Sequence, residues 1–288
     1  MSVYDDTEPI DLSRVNTYEL ASRPSKVTAA DLAKPPAEED TLTDFFAKLP
    51  DVLAVRSLRE LAAAIRRACE SGKPIIWGIG GHVIKTGLSP VLIDLMDRGF
   101  VTALASNGSV LVHDTEMALV GFTSEDVDAT LGSGDFGAAR ETGEILNLAA
   151  KRAAADGIGL GEAMGRELAT LSPANAAISL LCTAYAMRVP FTAHLTIGAD
   201  IGHFHASCDG GALGTASHRD FRLFCTLVQK MDGGGVYINF GSAVTMPEIF
   251  LKAVTVVRNL GHGLDDITTA NFDFIQHYRP MTNVVRRP

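Results

Sequence analysis

The chain has 288 residues, of which 47% are hydrophobic and 20% charged, and its formal net charge is −9. That length can bury a substantial core. The acidic balance argues against a nucleic-acid partner, and no apolar run is long enough to span a bilayer, so no membrane contact is expected. An apolar excess of this size predicts an oligomer with buried faces. The acidic start, Met1-Ser2-Val3-Tyr4-Asp5-Asp6, does not read as a secretory leader, and the expected compartment is the cytoplasm. Cys69, Cys182, Cys208 and Cys225 are widely spaced, which predicts reduced, mostly buried thiols rather than a disulfide framework.

Residues 1–50 are broken by Pro24, Pro35, Pro36 and Pro50 with Glu38-Glu39-Asp40 between them, the pattern of an amino-terminal arm. From 51 to 288 a single α/β domain is expected. Ser57 caps a helical pattern through Ala68, and Gly72-Lys73-Pro74 stops it. Ile75-Ile76-Trp77-Gly78 reads as a buried strand, followed by a Gly80-Gly81-His82 turn and a helix from Pro90 to Asp97. Val101 to Ala105 reads as a second strand whose loop, Ser106-Asn107-Gly108-Ser109, leads to His113-Asp114-Thr115-Glu116. Residues 135–171 read as helical with a break at 156–159. Phe191 to Thr196 and Val236 to Asn239 complete the strands, and a helix follows from Pro247 to Asn259. Strand, small-residue loop and helix recur in that order, which predicts a parallel sheet with helices on both faces. The basic carboxyl end, Arg279 to Pro288, is expected to be a solvated tail.

In such a sheet, loops at the carboxyl ends of the strands bind ligands. His82, His113, His194, His203 and His205 all fall in or beside those loops. His113 with Asp114 can serve as an acid/base group or as the polar first turn of a helix. Residues 193–211 concentrate His194, Asp200, His203, His205, Cys208 and Asp209. Two readings stay open for them. In one, Asp200 and Asp209 hold a substrate amine while a neutral histidine accepts its proton. In the other, His194, His203, His205 and Asp209 ligate a divalent metal for hydrolysis.

Five segments in order resemble the deoxyhypusine synthase family: Pro74 to Gly87, Ala105 to Gly108, Gly157 to Ala163, Gly210 to Ser217, and Tyr237 to Pro247. The resemblance implies a Rossmann-like domain, a homotetramer, NAD as cofactor, and hydride transfer from a polyamine-like amine through an imine in a transferase reaction. It implies a cofactor site at Gly81, His82, Thr86, Ser106, Asn107, Gly108, Gly241, Ser242 and Ala243. Asp209, Gly210, Gly214 and Ser217 would face the substrate. The family's catalytic lysine is missing: its position falls on Val228, with Lys230 two residues away. Deoxyhypusine synthesis is therefore not expected. The expected activity is NAD-dependent oxidation of an amine, the imine being attacked directly by water or a second amine, with His113, Asp114, His194, Asp200, His203 and His205 near the chemistry. The alternatives are the metal-dependent hydrolase and a non-catalytic nucleotide-binding protein.

Overall fold

The computed structural model describes residues 3–288 and divides into two units, Met1–Glu60 and Leu61–Pro288. The division falls inside a helix, ten residues beyond the boundary that the prolines suggest. In the first unit no described residue is buried. Its regular structure comprises short 3-10 turns, the start of the helix Leu53–Glu70, and α1 (Leu42–Lys48), which begins at a reciprocal capping box. There the Thr41 hydroxyl accepts the Asp44 N–H at 3.2 Å, and the Asp44 carboxylate accepts the Thr41 N–H at 3.0 Å.

The second unit is built on five strands: β1 (Ile75–Ile79), β2 (Ala103–Asn107), β3 (Phe191–His194), β4 (Gly235–Phe240) and β5 (Ile267–Phe272). All pairings are parallel and the order is β3-β2-β1-β4-β5. The helices are α2 (Leu53–Glu70), α3 (His82–Lys85), α4 (Ser89–Asp97), α5 (Gly108–Val120), α6 (Val127–Thr130), α7 (Arg140–Asp156), α8 (Leu160–Leu171), α9 (Leu180–Met187), α10 (Gly210–Gln229) and α11 (Thr245–Asn259). One face of the sheet presents Ile76, Ala103, Ala105 and Tyr237 to Phe224 and Val228 of α10 and to Met246 and Phe250 of α11. The opposite face presents Ile75, Ile79, Leu104 and Ile238 to α2, α5 and α8. The α/β class with helices on both faces is thus what the residues form.

Contact between Gly78 and Tyr237 sets the spacing in the middle of the sheet. The Tyr237 ring stacks on Phe250 with centroids 3.8 Å apart, and its hydroxyl lies 2.1 Å from where a Cβ on Gly78 would be, so β1 requires glycine there. The outer edge of β3 is closed by α10. Ser217 Oγ accepts the Leu195 N–H and donates to the Ala193 carbonyl, both at 3.0 Å, while Asp220 Oδ2 accepts the Ala193 N–H at 2.8 Å and the Gly161 N–H at 2.9 Å. Side chains of a helix thus take up the Ala193 and Leu195 backbone groups that a sixth strand would otherwise pair.

Two expectations change. Ser106 and Asn107 belong to β2, and α5 starts at once at Gly108, so the predicted loop is a direct passage from strand to helix. The carboxyl end is not a free tail: Met281–Arg286 forms a π-helical turn with Val284 fully buried, and Asn283 Nδ2 donates to Glu248 Oε1 at 2.9 Å.

Candidate active site

Strand order reverses between β1 and β4, because β1 runs on to β2 on one side while β4 and β5 lie on the other. The carboxyl ends at such a reversal open a crevice. Here the turns lining it pack on one another through glycines. A Cβ on Gly80 would stand 2.1 Å from the Gly241 carbonyl oxygen. One on Gly81 would stand 2.6 Å from Ser109 Oγ and 3.1 Å from His113 Cδ2, and one on Gly108 would lie 2.4–2.6 Å from the Asp200 carboxyl group. The Gly80 N–H donates to the Phe240 carbonyl at 3.1 Å. Gly241 holds φ at +63°, in the left-handed region that glycine enters freely. The turns after β1, β2 and β4 thus meet, with the amino ends of α5 and α11 beside them.

Polar side chains fix these turns. Ser109 Oγ donates to Asn107 Oδ1 at 2.9 Å. Asn239 Nδ2 donates to the Ser242 carbonyl at 2.9 Å and to Asn271 Oδ1 at 2.7 Å, and Ser242 Oγ accepts the Met246 N–H at 3.2 Å. Among the described residues, Asn239 Oδ1 and Ser106 Oγ are buried without a hydrogen-bond partner. Nothing in the residue types around Asn239 or Asn271 announced them; β5, which carries Asn271, has no apolar run to mark it. Of the other residues expected at a cofactor, His82 opens α3 in an exposed position, its carbonyl accepting the Thr86 hydroxyl at 2.8 Å, and Ala243 joins β4 to α11.

The six expected acid/base residues separate. His113 faces Gly81 from the second turn of α5, and Asp200 covers Gly108 at the start of that helix. Asp200 Oδ2 accepts the Thr196 N–H at 2.8 Å, and burial raises its carboxyl above the usual range, against the Thr196 N–H and the nearby His203. His203 Nδ1 accepts the Gly198 N–H at 3.1 Å. Asp114 lies on another side of α5, fully buried, where its carboxylate accepts the Ser179 hydroxyl at 2.6 Å and the Leu180 and Leu181 N–H groups at 2.8 and 2.9 Å. It holds the start of α9 and does not reach the crevice. His194 ends β3 beneath α10, edge-on to Phe224, with Nε2 3.0 Å from Thr192 Oγ1; burial pushes its pKa down to about 3. His205 fills a notch in α7 above Gly143 and its Nε2 bonds the Gly137 carbonyl at 3.0 Å.

These positions undo the metal reading. His194 is in the core, His205 is bound to α7 and its flanking loop, and Asp209 caps α10 by accepting the Ala212 N–H at 3.0 Å. Among the described residues, no group of three His, Cys, Asp or Glu side chains could hold an ion. Of the residues expected to face the substrate, Gly210 and Gly214 border open space at the start of α10, while Ser217 is engaged with β3. Lys230 follows the far end of α10 and, with Arg188, lines a groove of about 780 Å³ beside the amino-terminal end of β3. That groove lies at the opposite end of the sheet from the crevice, so Lys230 cannot take the place of the absent lysine.

No family model and no curated protein matches the chain. Among solved structures, similar ones include ArgZ, an arginine dihydrolase from the ornithine-ammonia cycle in cyanobacteria, with 17% identity, a TM-score of 0.43, and coverage of 75% of this chain and 27% of that one. A conserved putative LOR/SDH protein from Methanococcus maripaludis S2 shows 16% identity and a TM-score of 0.43 over 75% of this chain and 63% of that one. AgrE in a ternary complex with ornithine and NAD+ shows 15% identity and a TM-score of 0.44 over 74% and 30%. The chain therefore spans less than two thirds of each, and likeness at this depth carries no argument about activity.

Proposed function

We propose that the chain is an NAD-dependent enzyme that oxidises an amine or amino compound at the crevice between β1 and β4. The observation that carries this reading is the meeting of three glycine-bearing turns at the point where the strand order reverses. Small residues and helix amino ends there suit the close approach of a pyrophosphate to backbone N–H groups. The unpartnered Asn239 Oδ1 and Ser106 Oγ beside those turns fit a site that takes up a polar group. Gly81, His82, Thr86, Ser106, Asn107, Gly108, Gly241, Ser242 and Ala243 would hold the dinucleotide.

A bound nicotinamide would supply the acceptor for the hydride leaving the amine-bearing carbon, a proton passing from nitrogen to a base as the C=N bond forms. The chain's own part is binding and proton transfer. Asp200 is placed to orient the substrate's ammonium group, and an ammonium partner would offset the burial that raises this carboxyl. His113 is the histidine of the crevice and the group to receive the proton. The same reading makes the chain a distant relative of the deoxyhypusine synthases, without their lysine-bound intermediate. Assembly into a homotetramer and residence in the cytoplasm belong to the same proposal; exposed apolar side chains such as Tyr185, Leu223 and Phe274 support association in general.

Calorimetric titration of the dialysed protein with NAD tests the reading. Saturable binding near one per chain is expected, followed by NADH formation with agmatine, polyamines or basic amino acids. Absence of saturable binding would overturn it, and binding without turnover of any amine would leave a nucleotide-binding protein in its place.

A further inference from the structure

We infer that Glu116, acting through the hydroxyl of Thr123, fixes His113 in the tautomer that leaves Nε2 free to accept a proton at the crevice. The inference rests on the proposed amine oxidation for its use, but its geometry stands alone. Ser109, His113 and Glu116 share a face of α5, being spaced by four and three residues. At the end of α5, Gly121 takes φ of +77° and the chain doubles back, so that Thr123 returns to side chains ten and seven residues earlier. His113 Nδ1 lies 2.8 Å from Thr123 Oγ1, which is hydrogen-bonded in turn to Glu116 Oε2. Glu116 Oε1 accepts the Thr142 hydroxyl of α7 at 3.1 Å.

Proton counting gives the direction. A threonine hydroxyl has one proton, and an ionised carboxylate can only accept. Thr123 therefore donates to Glu116, and the ring must donate from Nδ1 to Thr123. In the neutral imidazole Nε2 then carries the lone pair. Nε2 adjoins Cδ2, the ring atom packed toward Gly81, and it has no hydrogen-bond partner among the described residues. Glu116 is suited to remain charged: burial pushes its carboxyl up, but the nearby His113 ring and the hydroxyls of Thr123 and Thr142 outweigh this and hold it below the usual range. Its Oε2 lies 3.8 Å from Nδ1, close enough to stabilise the imidazolium that forms when Nε2 takes a proton. Glu116 is the ionisable group paired with the ring, which also meets Thr123 and packs toward Gly81. Glu116 and Thr123 are thus positioning residues and His113 the proton acceptor.

The test is nitrogen-15 NMR of the histidine rings in the whole protein, with His113→Gln used to assign the resonance. The wild-type ring is expected as the Nδ1–H tautomer. Glu116→Gln replaces an obligate acceptor by an amide that can also donate to Thr123, and should weaken the Nδ1–H preference. Thr123→Val should release the tautomer preference and Thr123→Ser should retain it. An Nε2–H tautomer in the wild type, or a tautomer preference indifferent to both Glu116→Gln and Thr123→Val, would overturn the inference. None of these readouts needs cofactor or substrate, so failure to bind NAD would remove the proposed activity while leaving the tautomer result to stand or fall separately. If both hold, Glu116→Gln should lower kcat while leaving KM for the amine within about twofold, since it acts on proton transfer and not on binding.

Discussion

His113 and Asp114 are adjacent in sequence, yet they serve different ends because one residue along a helix is a rotation of roughly 100°. The first turns toward Gly81 and the second toward the start of α9. Sequence reading placed both at the exit of β2, which is where they are, but could not say which faced outward. His194 carries the same lesson on a strand: it lies in the expected strand, as the last residue of β3, and alternation turns it under α10 with Thr192. Its titration gives a prediction. The ring is neutral in the folded state down to about pH 3, whereas the unfolded chain takes up a proton near its ordinary 6.5. The unfolded state therefore binds more protons between these values, and the histidine's contribution to stability is lost as pH falls through that window at ~1.4 kcal/mol per pH unit. Urea unfolding at pH 7 and pH 5 should show the wild type losing ~2 kcal/mol more than His194→Gln. Equal losses would show that the ring is not held neutral.

At the scale of elements, the strands buried on both faces were legible as apolar runs: Ile75–Ile79, Phe191–His194 and Gly235–Phe240 all fall on the expected segments. β5 was not legible, because Ile267–Phe272 is half-buried at every position and two threonines, an alanine and an asparagine carry no run or clean alternation. Its place is set by pairing with β4, a tertiary cause. The role of α10 was also hidden, since Ser217 was expected to face the substrate and Asp220 carried no expectation. They instead satisfy the backbone of β3. Ser217→Ala removes both of its hydrogen bonds to that strand and should cost ~1–2 kcal/mol while speeding amide exchange at Leu195. Unchanged exchange there would mean that the edge is covered by other means.

The whole molecule follows from one connectivity. Successive crossovers place β2 and β3 on one side of β1, and the return to β4 on the other makes the reversal of strand order. Glycine-bearing turns were visible in the sequence at 80–81, 107–108 and 241–243, but nothing in their spacing showed that Gly80 meets Gly241 or that Gly108 lies under Asp200. Those contacts depend on strand order, which separates residues 80 and 241 along the chain and joins them in space. The described residues before α2 contribute no side chain to a core.

Hydrogen exchange measured with and without saturating NAD tests the central claim most directly, since it reads occupancy and location together. The account predicts slowed exchange in residues 79–83, 106–110 and 240–246, at the three turns of the crevice. Protection confined to the groove at Arg188 and Lys230, or no protection anywhere, would contradict it.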